Sequence, residues 1–246
     1  GPIRRLIERV IHDRSAAPGI WRSLSRTFLA LPPDLRSLFF DNFAVYPSAM
    51  HADLFSDVTK ERMHDTDPYR IAMRYLDRPD ADALLDRLLA VDLKSFLHEL
   101  LMKADQMSMA ASIESRVPFL DHKLVEFATR LPVDMKLRGV TTKYILRKAM
   151  AGVLPEQILT RKKMGFPVPI GDWLRGAFRP VVDEYVLSDR VRARGLFNHE
   201  FVRTLVARHD AGENHTERIW MLLNVEIWLR RFMDGEACHR GSSVHQ

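Results

Sequence analysis

The sequence predicts an all-α fold, and three observations carry that expectation. Apolar residues recur at helical spacing in successive stretches that end at Pro, Gly or Asp. β-Branched runs alternating with helical stretches, which a parallel sheet would need, are absent. No glycine occurs between Gly19 and Gly139, so neither a dinucleotide fingerprint nor a Walker-type loop lies in that span. Such loops need residues that tolerate positive φ and let backbone amides approach a phosphate. With 46% apolar and 28% charged residues over 246 positions, the chain can fill a sizeable core in one or two domains and is too mixed for disorder.

In chain order, Ile3 to His12 reads as a short amphipathic segment ending near Pro18-Gly19. Pro32-Pro33 opens a second helix, running through Leu35, Leu38 and Phe39. Between Ala81 and Leu93, the positions Leu84, Leu85, Leu88, Leu89 and Val91 recur at helical spacing, as do Leu124, Phe127, Ala128 and Leu131 before Pro132. Thr141 or Thr142 is placed to cap a helix bearing Ile145, Leu146, Ala149, Met150 and Val153, after which Pro155 opens a short turn. Thr160 to Trp173 sets two prolines and a glycine beside Arg161, Lys162 and Lys163, so a shaped loop is expected rather than a continuous helix. Thr216 to Met233 is apolar nearly all round, and burial of Trp220 and Trp228 is expected, with Trp173 also a core anchor. The tail after Gly235, with Cys238 and His239, is expected to be mobile.

The single cysteine, Cys238, excludes an internal disulfide and a zinc site of paired thiolates, which fits a reducing cytoplasm. No apolar run approaches the roughly 18 residues that span a membrane, and the first residues lack the apolar stretch of a secretory signal. A soluble, cytoplasmic protein is expected. A net charge of +5 and a pI near 9.5 invite a polyanionic partner, whether phosphate, nucleotide or nucleic acid, without choosing among them. Gly1-Pro2 in place of an initiating Met reads as the scar of a cleaved tag.

Charged residues interrupt a small, apolar run between Lys103 and Asp121. In a buried helix they would have to be paired or reach a polar ligand, because an unpaired buried charge costs several kcal/mol or more. One reading is a structural ion-pair network, Lys103 with Asp105 or Glu114 with Arg116. The other is a ligand site.

The block from Asp92 to Asp121 resembles the signature of the glutamine-dependent asparagine synthetase family, in which a D-L-K-x-[YF]-L segment leads through K-x-D-x-x-S-M-A to E-x-R-x-P-F-L-D. Lys143-Tyr-Ile-Leu146-Arg147, Leu154-Pro155, Arg161 through Ile170, Trp173-Leu-Arg175-Gly176 and Trp220 through Trp228 follow in the family's order. The match is close from Asp92 to Gly235 and loose from Pro18 to Val91. It divides the chain into a loosely matched helical segment, 1–90, a helical family region, 91–235, and a tail, 236–246.

The resemblance implies the helical C-terminal portion of an asparagine synthetase-type α/β ATP pyrophosphatase domain. In that family an N-terminal glutaminase releases ammonia from glutamine. A second domain joins it to an aspartate carboxylate activated by ATP as an acyl-adenylate, with Mg²⁺ the expected counterion of the phosphates. The family's S-G-G-x-D-S loop, its acidic E-G-x-D-E motif and its N-terminal cysteine nucleophile do not occur here. The chain is therefore expected to need N-terminal domains as partners and to be inactive alone.

By resemblance, Lys163 and Lys143 approach the pyrophosphate or the adenylate phosphate, and Lys103 stands near the substrates. Asp105, Glu114 and Arg116 hold that wall, and Gly165 shapes the loop that carries Lys163. Glu99 falls where the family usually carries an acid, and ring-closing relatives use an acid nearby for proton transfer. Simple solvation is the competing reading for Glu99, Lys143 and Lys162. His209 and His215 lack the spacing of a helix-face metal pair, and no metal ligands are expected.

A relative that closes a β-lactam or peptide ring, or amidates a polysaccharide or secondary metabolite, is the alternative within this chemistry. From another class, a non-catalytic basic helical module would bind nucleic acid or an acidic partner. The best-placed cations lie in motifs that also demand Pro, Gly and acids rather than along a basic stripe, which makes nucleic acid the weaker reading. A homodimer is compatible with either.

Overall fold

The computed structural model describes residues 34–41, 43–77, 83–162, 165 and 168–236. The segment from Ile3 to His12, the Pro32-Pro33 opening, Lys163 and the tail with Cys238 lie outside them. The architecture is mostly helical, as the sequence predicts. Among the described residues the only paired strands are Leu137–Arg138 and Thr141–Thr142, antiparallel, with Leu137 opposite Thr142 and Arg138 opposite Thr141. The chain forms two compact units, one from the residues up to Thr66 together with those from Pro167 on, the other spanning Asp67–Phe166. These limits follow compactness, whereas the sequence divisions follow the extent of the motif match.

The first unit is built on two helices. His199–Asp210 begins at Asn198, whose side chain accepts from the Phe201 amide and so satisfies one of the donors a helix start leaves open. Val202, Leu205, Val206 and His209 fall at i, i+3, i+4 and i+7, and all are buried. Thr216–Trp228 repeats that spacing with Ile219, Leu222, Leu223 and Glu226, and Arg230 in the following turn, Leu229–Met233, extends the stripe. Leu174, Val182 and Val186 complete the cluster.

The far face of this long helix is not covered. Trp220, Trp228 and Phe232 are 40%, 53% and 68% exposed, which corrects the expectation that the tryptophans are buried. Apolar residues all round a helix permit burial on every side, but among the described residues only one side has elements packed on it. Trp173 is likewise 40% exposed, resting against Phe178 with ring centres 5.5 Å apart.

An ion network closes this end of the unit. The Glu226 carboxylate accepts from Arg194 at 2.9 and 3.1 Å and from Arg230 Nε at 2.9 Å. Arg230 also donates to the Glu184 carbonyl and lies 4.2 Å over the Tyr185 ring. The earlier part of the chain is tied on by backbone bonds from Asn198 to the Leu54 carbonyl and from Ser56 to the Leu196 carbonyl. Gly195, at φ +67°, ends the Asp189–Arg194 helix and turns its carbonyl to the Ser56 hydroxyl at 2.5 Å.

In the second unit, Leu84–Lys94 packs against Arg70–Leu76 and Phe96–Ala110, burying Val91 and Leu76. Lys136 reaches across to Asp86 at 2.7 Å and to the Thr129 carbonyl at 2.8 Å, tying the Leu84–Lys94 helix to the end of His122–Arg130. The latter helix starts where Asp121 accepts from the amides of Lys123 and Leu124 and stops before Pro132. Its apolar positions recur as expected, yet Leu124 and Phe127 remain exposed.

The threonine cap does not form. Thr141 and Thr142 are spent in the hairpin, and the residue preceding the Tyr144–Ala149 helix is Lys143, with no side-chain cap. That helix also ends short of Val153. Pro155 does open the next turn, Glu156–Thr160.

Candidate functional site

Glu99, Lys103 and Asp105 ride on one helix, Phe96–Ala110. Glu99 sits in its first turn, where the helix dipole favours a carboxylate. Glu99 and Lys103, four residues apart, share a face, and Asp105, two residues further, does not. The helix buries none of its residues, and the chain from Lys103 to Asp121 is almost wholly exposed. These charges stay in water and have no need of partners, which corrects the expectation of a buried segment.

Of the two ion pairs weighed from the sequence, Glu114 with Arg116 forms, at 2.5 Å, with side chains 67% and 81% exposed. A pair so open to water contributes about 0–1 kcal/mol. Lys103 and Asp105 make no ion pair with each other among the described residues. Ser112, at φ +58°, turns the chain out of the helix, and the Ile113 amide donates back to the Ser108 carbonyl at 2.9 Å, so that Glu114 and Arg116 leave the helix axis together.

Lys143 is held in an uncommon backbone conformation. The Leu137–Arg138 and Thr141–Thr142 hairpin delivers the chain to Lys143 at φ +55° and ψ +38°, the left-handed region that costs a residue with a Cβ roughly 1–2 kcal/mol. Arg147, one turn into the helix, grips both flanks of it. Its amide donates to the Lys143 carbonyl at 3.0 Å and its Nε to the Thr142 carbonyl at 3.1 Å. The Nη1 of the same guanidinium donates to the Leu159 carbonyl, at the end of the turn that leads into Arg161 and Lys162. Arg138 stacks 5.0 Å over the Tyr144 ring and donates to its hydroxyl at 2.6 Å.

Arg161 and Lys162 are exposed, and Lys163 lies outside the described residues. Gly165 is exposed, is not at positive φ, and a Cβ there would meet nothing within 4 Å, so neither its backbone nor its surroundings require glycine. No group of three His, Cys, Asp or Glu able to hold a metal occurs among the described residues. His209 and His215 are core groups: the His215 amide donates to His209 Nδ1, and His215 Nε2 meets the Glu213 carboxylate at 3.1 Å.

The structure thus gathers the chain entering Lys143 and the end of the Glu156–Thr160 turn around one guanidinium, and joins Glu114 to Arg116. Arg147 closes the Lys143-Tyr-Ile-Leu146-Arg147 motif, which by itself assigns it no task. The available signal was its place four residues after Lys143, the spacing that lets a helical side chain fold back over the preceding turn.

The chain is mostly helical and bears cations on exposed turns. The model of the asparagine synthase family matches residues 7–230. The chain belongs to that family. It is 30% identical to the glutamine-hydrolyzing asparagine synthetase 1 of Bacillus subtilis over 89% of its own length and 39% of that protein's. It is 51% identical to the asparagine synthetase 3 of the same organism over 29% of the chain and 12% of the relative. An amidase of Penicillium rubens, chyE, is 29% identical over 42% of the chain and 16% of the relative. The chain spans less than half the length of these curated relatives. No solved structure matches it.

Proposed function

We propose that this chain is part of a cytoplasmic ligase that activates a carboxylate with ATP and joins it to ammonia, turning aspartate into asparagine. The carrying observation is the family match over residues 7–230, supported by 30% identity across 89% of the chain. In the reaction, an aspartate carboxylate oxygen attacks the α-phosphorus and pyrophosphate leaves. Ammonia released from glutamine then attacks the acyl carbon, loses a proton and displaces AMP.

Negative charge grows on the α-phosphate and on the departing pyrophosphate, and fixed cations beside growing charge are a large source of rate enhancement. Lys163 and Lys143 fit that task. Lys103 stands by the substrates, with Asp105, the Glu114–Arg116 pair and Gly165 along the same wall, and Glu99 takes the proton that the attacking ammonia loses. The glycine-rich grip on ATP is supplied by residues outside this sequence, together with the glutaminase, in an assembly that is compatible with a homodimer. Mg²⁺ enters as the counterion of the phosphates.

The similarity to amidase chyE favours a second reading, in which the same chemistry serves a different carboxylate. The full-length gene product carrying this chain, supplied with ATP, Mg²⁺ and ammonium chloride, separates the two. Asparagine formed in step with AMP and pyrophosphate from aspartate supports the first. AMP formed only with another carboxylate assigns the second, and AMP formed with none overturns both.

A further inference from the structure

We infer that Arg147 is a positioning residue that sets Lys143 and the Glu156–Thr160 turn in register with each other. The inference rests on the ligase reading above. Three bonds carry it. The Arg147 amide holds the carbonyl of Lys143, its Nε holds the carbonyl before Lys143, and its Nη1 holds the carbonyl of Leu159. The peptide group before Lys143 is thus fixed by the guanidinium, while the one after it is held by the backbone bond that any non-proline residue at this position would make. The chain four residues upstream of Lys163 is fixed by the same planar group.

Two features make this more than a helix-surface contact. A non-glycine residue persists in left-handed conformation only where its surroundings hold it there, and the side chain of Lys143 itself makes no bond to the helix start. Arg147 supplies the hold instead. The guanidinium is also rigid: its N–H groups diverge in one plane, so bonding two carbonyls fixes their separation and their angle. An ammonium on a flexible stem can bond either carbonyl but fixes no angle between them. Arg147 is itself exposed, so these bonds add little to folding, and their consequence falls on where Lys143 and the chain entering Arg161 stand.

The distinguishing variant is Arg147→Lys, which keeps the charge and loses the planar fork; Arg147→Gln loses both. In the full-length gene product, kcat for AMP formation, KM for ATP and melting temperature are measured with aspartate and ammonium chloride, beside Lys163→Met and Lys143→Met. Arg147→Lys is expected to lower kcat at least ten-fold, nearly as far as Arg147→Gln, with KM for ATP within about three-fold and melting temperature unchanged, because misplacing a catalytic group by about 1 Å can cost a hundred-fold in rate. Parental kcat in Arg147→Lys, while Lys163→Met is slow, would overturn the inference and leave the ligase reading standing. Full activity in both lysine variants would overturn the assignment of the cations themselves, and the inference with it. A fall in melting temperature that parallels the fall in rate would make Arg147 a general support of the fold and would equally overturn it.

Discussion

At the scale of single residues, charge and backbone strain separate at Lys143. Lys143→Gly removes both the ammonium and the steric cost of left-handed backbone, while Lys143→Met removes only the ammonium. The glycine variant should fold at least as well as the parent, gaining up to about 1 kcal/mol once the greater freedom of unfolded glycine is set against the relief. Both variants should lose amide formation in the full-length protein, by roughly ten-fold or more, and Lys163→Met by about a hundred- to a thousand-fold. A cation about 4 Å from a phosphate oxygen is attracted by about 4 kcal/mol at an effective dielectric near 20, and only the part specific to the transition state raises the rate. Steady-state kinetics beside thermal unfolding decide it; undiminished turnover in Lys163→Met would leave that lysine without a catalytic task.

His215 gives the second prediction at this scale. Arg218 donates to its Nδ1 at 2.9 Å, which places the ring proton on Nε2, facing Glu213. His209, itself buried, accepts from the His215 amide, and Arg208 lies beyond Glu213. Burial, and then the Arg218 charge, hold the pKa of His215 below its ordinary value of 6.5, although Glu213 pulls the other way. Folding therefore favours the neutral ring. That stabilisation is complete above the unfolded value, at pH of about 7 and higher, and drains away as the pH falls through about 6.5, where the unfolded chain takes up a proton. Melting temperature should drop between about pH 7.5 and 5.5, and drop less steeply in His215→Gln. Equal slopes in the two proteins would assign the acid sensitivity to other groups.

At the scale of elements, the stripe on Thr216–Trp228 ends in charge, and that charge is committed. Glu226 answers both Arg194 and Arg230, and the Arg230 side chain is only 4% exposed. Glu226→Ala leaves a buried guanidinium short of its partner, and removing one member of such a network costs about 3–5 kcal/mol. The lower end of that range is expected, because Arg194 keeps Asp234 and Arg230 keeps the Glu184 carbonyl. Glu200→Ala, which breaks a 3.4 Å pair in open solvent, should change stability by no more than about 0.5 kcal/mol. Denaturant titration of the two variants measures the contrast, and similar losses would mean that burial does not set the value of these pairs.

At the scale of the whole molecule, the 246 residues carry a net charge of +5 but no glycine-rich loop to cradle a phosphate. Purified alone, the chain should show no ATP–pyrophosphate exchange with aspartate, and turnover above background would place the ATP grip within these residues. If the chain instead held double-stranded DNA tightly at high salt, the basic-module reading would gain weight, since phosphate contacts weaken steeply as salt rises. No helix among the described residues is long and apolar enough to cross a membrane.

The sequence by itself determined the helical class, the helix bearing Leu124, Phe127 and Ala128 before Pro132, the helix bearing Leu84 to Val91 and the family, because helix period and breakers are local and motifs are linear. It did not determine what each face meets. Trp220 and Trp228 read as core and stand half in solvent, and the charges from Lys103 to Asp121 read as buried and lie in water, because burial depends on which element arrives from elsewhere in the chain. Thr142 read as a cap and became a strand residue, since pairing with Leu137 was open to it only once Gly139 had turned the chain back. The use of Arg147 was decided by tertiary structure alone: its reach to the Thr142 and Leu159 carbonyls depends on a hairpin and a turn that meet only in the folded unit.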